Sequence, residues 1–350
     1  MKSAYQYISQ FLLWGAVLAS SCALHKEENQ KIVWENPIRE GINPYGMKDF
    51  FIYPEGESYY MVGTEYPDPF QATEGLQLYK ADQFNTWKVA KLLIEKAKIP
   101  ANAWYKDEWK APEIHKIRGK YYLSFNGRNN TINPYKKHGF GLAVADKIDG
   151  LYQVLTSDAP LLECNNATLV EAADGSVYIL YDMDGRIYSV ELDIENAKLK
   201  AEPKELLGPS TLAKNYKYLD APQVTKKGDT YHLLCSQFYG GYVVKVNHMT
   251  SKHPLGPWKW EADNPLYTFL EAEADLEVKM PYPTTHGYAP PTQVIFSNQL
   301  FRGKNDNYFI AYHSSEKYSE PYLCIEPVLM SGNQITIIQA KERKQKVALR

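Results

Sequence analysis

Five stretches of this sequence resemble one another: PEGESYYMVG (54–63), IRGKYYLSFN (117–126), ADGSVYILYD (173–182), KKGDTYHLLC (226–235) and GKNDNYFIAY (303–312). Each places Gly or Asp before a tyrosine and alternating apolar residues, a pattern that predicts a tight hairpin entering a half-buried strand. The five tyrosines are separated by 62, 57, 53 and 77 residues. Recurrence at such intervals is typical of a blade array, in which each unit covers the faces of its neighbours.

The sequence between the repeats is also strand-like. Stretches such as GLQLYKADQF from Gly75 and GYVVKVNHMT from Gly241 alternate apolar and polar residues with period two. Residues 88–98 have helical spacing and are read either as a short helix or as an outer strand with its connection. We therefore predict an all-β fold, a five-bladed β-propeller with four-stranded antiparallel blades.

Residues 1–22 have the features of an export signal. A basic residue near the start precedes an apolar stretch, Phe11–Ala19, that is too short to span a bilayer comfortably. Small residues before Cys22 resemble a bacterial lipobox, so we expect lipidation of Cys22 and a membrane anchor, in the periplasm or on the outer membrane. Residues 23–40 are then a polar tether, and residues 41–350 form a single propeller domain.

The composition excludes several classes of function. The formal net charge of −2 leaves no basic field that would draw a phosphate backbone, so nucleic acid is not an expected partner. The sequence lacks HExxH, P-loop and GxSxG motifs. Cys235 and Cys324 lie in apolar strand patterns and are expected to be buried thiols.

A polar residue stands shortly before each of the first four hairpins. Counting back from the tyrosines gives offsets of 10, 8, 12 and 11 for Asp49, Glu113, Asn166 and Asp220. The innermost strand of a propeller blade starts near the axis, so these side chains are expected to meet in one funnel. Inverting glycoside hydrolysis needs two carboxyl groups about 6.5–9.5 Å apart, one to protonate the leaving oxygen and one to deprotonate a water.

Sugars also need flat apolar surfaces beside polar partners. Trp104, Trp109, Tyr239 and Tyr288 lie near the funnel residues in sequence and are predicted to form such walls. His286 precedes the fifth hairpin together with Tyr288 and is a further candidate for substrate contact.

Four longer runs carry a resemblance to one family. They are GMKDFFIYPEGESYYMVGTE (46–65), WKAPEIHKIRGKYYLSFN (109–126), NNATLVEAADGSVYILYDMDGRIYSVELD (165–193) and LDAPQVTKKGDTYHLLCSQF (219–238). As a set, these runs resemble glycoside hydrolase family 43 from about Asn43 to His313. The resemblance implies a five-bladed propeller that acts on plant-type glycans by inversion.

The resemblance also assigns roles to residues. The family's general base falls on Asp49, and its acid, normally Glu, falls on Asp220. The middle aspartate of the family, which tunes the pKa of the acid, falls on Asn166, so two of three positions are altered. Family members can hold a structural calcium beside a histidine near the axis, which makes His286 a candidate ligand. No cofactor is required.

The resemblance therefore implies a glycosidase that releases arabinose- or xylose-like sugars from a carbohydrate substrate, and the N-terminal segment predicts that it is exported. Asp49 is the expected base and Asp220 the expected acid, with Asn166 and Glu113 shaping the site. One alternative is a glycan-binding propeller that has lost its acid and its modulator. Another is a propeller hydrolase that recruits Glu113, Glu163 or His286 as the acid.

Overall fold

The structure, a computed structural model, describes residues 31–65, 74–208, 216–239, 243–262, 266–270, 294–315, 321–338 and 344–348. Within these ranges the chain is all-β, with two short 3-10 helices, Lys96–Lys98 and Lys304–Asp306. No helix within them is long and apolar enough to cross a membrane. The predicted signal, including Cys22, lies outside the described residues.

Five antiparallel sheets built from consecutive strands form the blades, and the predicted five-bladed propeller is confirmed. The strands are β1 (Lys31–Glu35); in blade 1, β2 (Met47–Glu55), β3 (Ser58–Glu65), β4 (Gly75–Ala81) and β5 (Lys88–Glu95); in blade 2, β6 (Glu108–Ile117), β7 (Lys120–Arg128), β8 (Gly139–Ala145) and β9 (Gln153–Val154); in blade 3, β10 (Ala167–Glu171), β11 (Val177–Met183), β12 (Arg186–Asp193), β13 (Lys198–Leu199) and β14 (Lys204–Leu207); in blade 4, β15 (Tyr216–Lys227), β16 (Thr230–Tyr239), β17 (Val243–Ser251), β18 (Lys259–Trp260) and β19 (Tyr267–Leu270); in blade 5, β20 (Val294–Arg302), β21 (Tyr308–Ser315), β22 (Tyr322–Ser331) and β23 (Gln334–Ile337); and last, β24 (Lys344–Ala348). Blades 3 and 4 each gain a fifth strand, because β14 pairs with β12 and β19 pairs with β17.

The innermost strands of the blades close a ring around the axis. Each of β2, β6, β10, β15 and β20 packs against the next, and β20 packs against β2. Blades 5 and 1 are joined by the Gln299 amide, which donates to the Ile52 carbonyl at 2.9 Å and accepts from the Ile52 N–H at 2.7 Å. The Gln299 side-chain amide thus makes the same pair of hydrogen bonds to the inner strand of blade 1 that the backbone of a neighbouring strand would make.

Residues 31–40 of the expected tether belong to the folded domain instead, and residues 23–30 lie outside the described residues. Strand β1 pairs with β24, and the Trp34 side chain is only 2% exposed. Its indole N–H donates to the Ile325 carbonyl at 2.9 Å, and its ring meets Phe84 edge to face at 5.1 Å. An aromatic side chain buried between blades 1 and 5 holds this segment in the propeller.

A bulge interrupts the inner strand of four blades, where the pairing register shifts. Each bulge holds one residue with left-handed backbone, and these residues are Asp49 (φ 52°), Ala111 (φ 41°), Ala221 (φ 50°) and Ser297 (φ 50°). Blade 3 differs, because β10 starts at Ala167, directly after Asn166. Bulges of this kind bend a strand and redirect its side chains locally.

The second strand of each blade carries a buried polar residue. In blades 1, 2, 4 and 5 this residue lies opposite the residue that precedes the bulge, and in blade 3 it lies opposite Asn166. These five are Thr64, Asn126, Asp182, Ser236 and His313. Three of them accept the backbone N–H of the bulge residue in the next blade: Thr64 Oγ1 from Ala111 at 2.8 Å, Asp182 Oδ2 from Ala221 at 2.8 Å and His313 Nδ1 from Asp49 at 3.3 Å. We call this contact the interblade clamp.

Candidate active site

A pocket lies on the propeller axis where the inner strands begin. Its walls come from all five blades and consist of Asp49, Phe50, Phe51, Ala111, Glu113, Asn166, Ala167, Ala221, Pro222, Gln223 and Ser297. Of the four polar residues that precede a hairpin in the sequence, three line this pocket: Asp49, Glu113 and Asn166. The fourth, Asp220, immediately precedes the lining residue Ala221 and is bonded to Asn166.

Asp49 is held by a hydroxyl on each carboxylate oxygen. Ser297 Oγ donates to Oδ1 at 2.6 Å and Thr64 Oγ donates to Oδ2 at 2.8 Å. Burial acts to raise the pKa of Asp49, but His313, Lys48 and these two hydroxyls outweigh it, so the pKa lies below its ordinary value. Asp49 is therefore a fixed, ionised carboxylate whose side chain is 15% exposed.

His313 packs behind Asp49 as a neutral imidazole. Its Nδ1 accepts the Asp49 N–H, which requires an unprotonated Nδ1. Burial lowers the pKa of His313 to about 4, in agreement with that hydrogen bond. The charge of His313 therefore lowers the pKa of Asp49 only at acidic pH, where the ring is protonated.

Asp220 lies on the opposite side of the ring, at the junction of blades 3 and 4. Its Oδ1 accepts three N–H groups: Asn166 Nδ2 at 2.7 Å, Ala221 N at 3.0 Å and Asn165 Nδ2 at 3.2 Å. The carboxyl group is partly exposed. These three donors fix Oδ1 of Asp220 in place.

Asp182 is a site residue that the sequence reasoning missed. It is 3% exposed and accepts Asn166 Nδ2 at 3.1 Å and Ala221 N at 2.8 Å, both on Oδ2. Burial and the adjacent Asp220 raise the pKa of Asp182 well above its ordinary value. The signal was a polar residue four or five positions after each hairpin tyrosine, inside an otherwise apolar strand.

Glu113 lines the pocket from blade 2 but is engaged on both oxygens. Gln223 Nε2 donates to Oε1 from blade 4, and His115 Nε2 lies 2.7 Å from Oε2. The residue is 7% exposed. Glu113 thus joins two blades across the axis beside the ring of Phe51.

Trp104 and Trp109 do not form a sugar wall, which corrects the prediction for both. Each is 1% exposed, and both rings stack on Phe125, at 5.8 and 4.1 Å between centroids. Their indole N–H groups donate to backbone carbonyls, of Thr156 at 2.6 Å and Tyr105 at 2.7 Å. The two tryptophans form the core between blades 1 and 2, and the aromatic residues that do line the pocket are Phe50 and Phe51.

The remaining candidates fall elsewhere. Glu163 has a side chain that is 54% exposed and pairs with Lys137 at 3.0 Å, away from the residues that line the pocket. His286 and Tyr288 lie outside the described residues, and of Tyr239 the structure describes the backbone at the end of β16 alone. In the described part of the chain, no group of three or more His, Cys, Asp or Glu side chains is placed to hold a metal ion.

Comparison with known proteins shows which family this chain resembles. A sequence model of the glycosyl hydrolases family 43 matches residues 34–331. A xylan 1,3-β-xylosidase from a Vibrio species is 25% identical over 282 residues, which is 74% of this chain and 47% of that protein. The chain thus spans about half the length of this relative.

Solved structures agree on the fold. A thermostable family-43 glycoside hydrolase superposes with a TM-score of 0.69 at 18% identity, covering 91% of this chain and 99% of that one. An endo-arabinase from Bacteroides thetaiotaomicron VPI-5482 gives a TM-score of 0.63 at 18% identity, with 85% and 99% covered. Since the family's sequence model spans most of the sequence, the chain belongs to the glycosyl hydrolases family 43.

Proposed function

We propose that this protein hydrolyses O-glycosyl bonds in plant-type polysaccharides or oligosaccharides with inversion at the anomeric carbon. The observation that carries the proposal is Asp49, an ionised carboxylate fixed by Ser297 and Thr64 at the axial pocket of a family 43 propeller. A carboxylate held in this way can accept a proton from a water molecule without changing position.

In the proposed reaction, Asp49 takes a proton from water while the water oxygen attacks the anomeric carbon. Asp220 gives a proton to the departing glycosidic oxygen as the C–O bond breaks. Asn166 orients Asp220 through its amide, and Glu113 shapes the pocket floor. The apolar face of the sugar packs on Phe51, because this ring lines the pocket beside the polar groups.

For the substrate, we propose arabinofuranosides or xylosides. The support is the relation to a protein named as a xylosidase and the fold shared with one named as an endo-arabinase. The reaction requires no cofactor, and any calcium would be structural. The combination of an apolar stretch and Cys22 supports export with a lipid anchor on the bacterial surface or in the periplasm.

A panel of defined arabino- and xylo-oligosaccharides tests the function. Hydrolysis is measured by sugar release, the anomer first formed is read by NMR, and binding is measured in parallel by calorimetry. We expect release of a single inverted anomer by the native chain, and binding without release by the Asp49→Asn variant. Tight binding with no product from the native chain would instead establish a glycan-binding propeller.

A separate assay addresses the anchor. A Cys22→Ser variant is compared with the native chain in a bacterial host supplied with labelled fatty acid. Loss of the label and release of the protein from the membrane fraction are the expected results, and unchanged labelling would reject Cys22 as the lipidated residue.

A further inference from the structure

Asp182 and Asp220 form a pair of carboxyl groups that share their hydrogen-bond donors. The Asn166 side-chain amide donates to Asp182 Oδ2 at 3.1 Å and to Asp220 Oδ1 at 2.7 Å. The Ala221 backbone N–H also reaches both oxygens, at 2.8 and 3.0 Å. Ionising both of two adjacent carboxyl groups is unfavourable, and burial and the neighbouring Asp220 raise the pKa of Asp182.

The interblade clamp alone does not explain an acid at this position. The same clamp is made by a hydroxyl at Thr64 and by a neutral imidazole at His313, neither of which brings a negative charge. Asp182 is 3% exposed, and burial of a carboxyl group is unfavourable unless the group is hydrogen-bonded or protonated. An uncharged side chain could accept the Ala221 N–H of blade 4 equally well.

We propose that Asp182 and Asp220 hold one proton between them, and that Asp182 is the positioning residue that keeps Asp220 competent as an acid where Asn166 replaces a carboxylate. This proposal rests on the proposed function. Asp182 acts through Asp220 and does not touch the substrate, since it is buried behind Asn166. The acid of this chain is thus a carboxyl pair that spans blades 3 and 4.

The proton balance of one turnover is complete without further reagents. The pair starts with one proton and a single negative charge, and it gives that proton to the leaving oxygen as the C–O bond breaks. Asp49 receives one proton from the attacking water. Solvent then returns a proton to the carboxyl pair and removes one from Asp49, so the net reaction is addition of water across the glycosidic bond.

The first test is the Asp182→Asn variant, whose side-chain oxygen can still accept the Ala221 N–H. We expect kcat/KM to fall at least tenfold at neutral pH on substrates with poor leaving groups, and less than threefold on dinitrophenyl glycosides, which need little protonation. The high-pH limb of the kcat/KM profile should move to lower pH by at least one unit. Equal losses on both substrates with an unmoved limb would overturn the proposal.

Two further variants separate charge from packing. Glu326→Gln removes another buried, hydrogen-bonded carboxylate, on the third strand of blade 5, and should leave both readouts unchanged. In the double variant Asp182→Asn with Asn166→Asp, a carboxylate again lies beside Asp220, now at position 166. We expect the high-pH limb of the kcat/KM profile to return toward its native position. If the double variant folds like the native chain and the limb does not return, the effect of Asp182 is not one of charge.

An infrared titration decides the proton-sharing step independently of activity. The native chain should show the C=O stretch of a protonated carboxyl group at pH 6 to 7, and Asp182→Asn should lose it. If the native chain has no activity on any glycoside but keeps this band, the proposed function fails and the carboxyl pair stands. If the band is absent from the native chain, the pair is rejected whatever the activity.

Discussion

Asp49 and Asp220 are both carboxyl groups at the propeller axis, yet their surroundings differ in kind. Asp49 receives one hydroxyl on each oxygen, and among the residues that the structure describes no second carboxyl group is hydrogen-bonded to it. Asp220 receives three N–H groups on one oxygen and lies beside the buried Asp182. The hydroxyls favour loss of the proton from Asp49, whereas the carboxyl pair retains one. In the proposed mechanism, the environment and not the residue type therefore distinguishes the base from the acid.

The two residues also occupy different positions in the same structural repeat. Asp49 is the left-handed residue of the bulge in blade 1, whereas Asp220 comes one residue before the bulge residue Ala221 in blade 4. A shift of one position in a strand moves a side chain to the other face. Of the two residues, Asp49 lines the axial pocket, whereas Asp220 is hydrogen-bonded to the lining residue Asn166.

The largest expected effect is on the base side of this comparison. Replacing Asp49 by Asn removes the proton acceptor, and general-base catalysis is worth about 10²–10⁴-fold. We expect a loss of this size in kcat for every substrate, whatever its leaving group, because the attacking water is the same. Steady-state rates on a series of aryl and alkyl glycosides provide the measurement.

The exposed Asp306, whose side chain pairs with Arg302, offers a matched control. Asp306→Asn should retain native rates on the whole series. Undiminished turnover in the Asp49→Asn variant would remove Asp49 from the mechanism.

The acid side should respond differently. Asp220→Asn is expected to lower kcat by about 10²-fold on alkyl glycosides, whose leaving oxygen needs a proton, and only slightly on dinitrophenyl glycosides. The slope of log kcat against leaving-group pKa should become steeper than in the native chain. A flat loss like that of Asp49→Asn would show that the two carboxyl groups do not divide the roles as proposed.

The fold was accessible from the sequence because its signal is local and repeated. Each hairpin, such as the one before Tyr121, needs only a turn residue and alternating apolar positions, and five copies leave few architectures. The boundary near Trp34 was not accessible, because the pairing of β1 with β24 joins the two ends of the chain. The local sequence of residues 31–40 contains no signal that predicts pairing with a strand about 300 residues away.

The site was accessible in part. Asp49, Glu113 and Asn166 were identified from their place before a hairpin, and they do line one pocket. Trp104 and Trp109 were misplaced because nearness in sequence does not say whether the side chain of a loop or strand residue faces the core. Asp182 was missed because it stands on the second strand, and only the pairing of β11 with β10 brings it beside Asn166.

A third, smaller effect concerns stability on the base side. Burial lowers the pKa of His313 from 6.5 to about 4, so the unfolded chain binds a proton that the folded chain does not. Stability contributed by this residue is therefore full above pH 6.5 and falls as the pH drops toward 4. Linkage gives a loss of about 2 kcal/mol in the free energy of unfolding between pH 7 and pH 5.

Urea unfolding at these two pH values tests this prediction. The His313→Asn variant can still accept the Asp49 N–H and has no titrating group, so its unfolding free energy should change less between pH 7 and pH 5. An equal pH dependence in the native and variant chains would place the titration elsewhere.

The smallest effect expected is that of Ser297→Ala, which removes one of the two hydroxyls on Asp49. Ala is compatible with this left-handed bulge position, since Ala111 and Ala221 occupy it in blades 2 and 4. Without the Ser297 donor the pKa of Asp49 should rise, and the low-pH limb of kcat/KM should move to higher pH by about one unit. At neutral pH Asp49 remains ionised, so the rate should fall less than about tenfold. Ser157→Ala at an exposed turn is the control, and an unmoved limb in Ser297→Ala would mean that the hydroxyl does not set the protonation of Asp49.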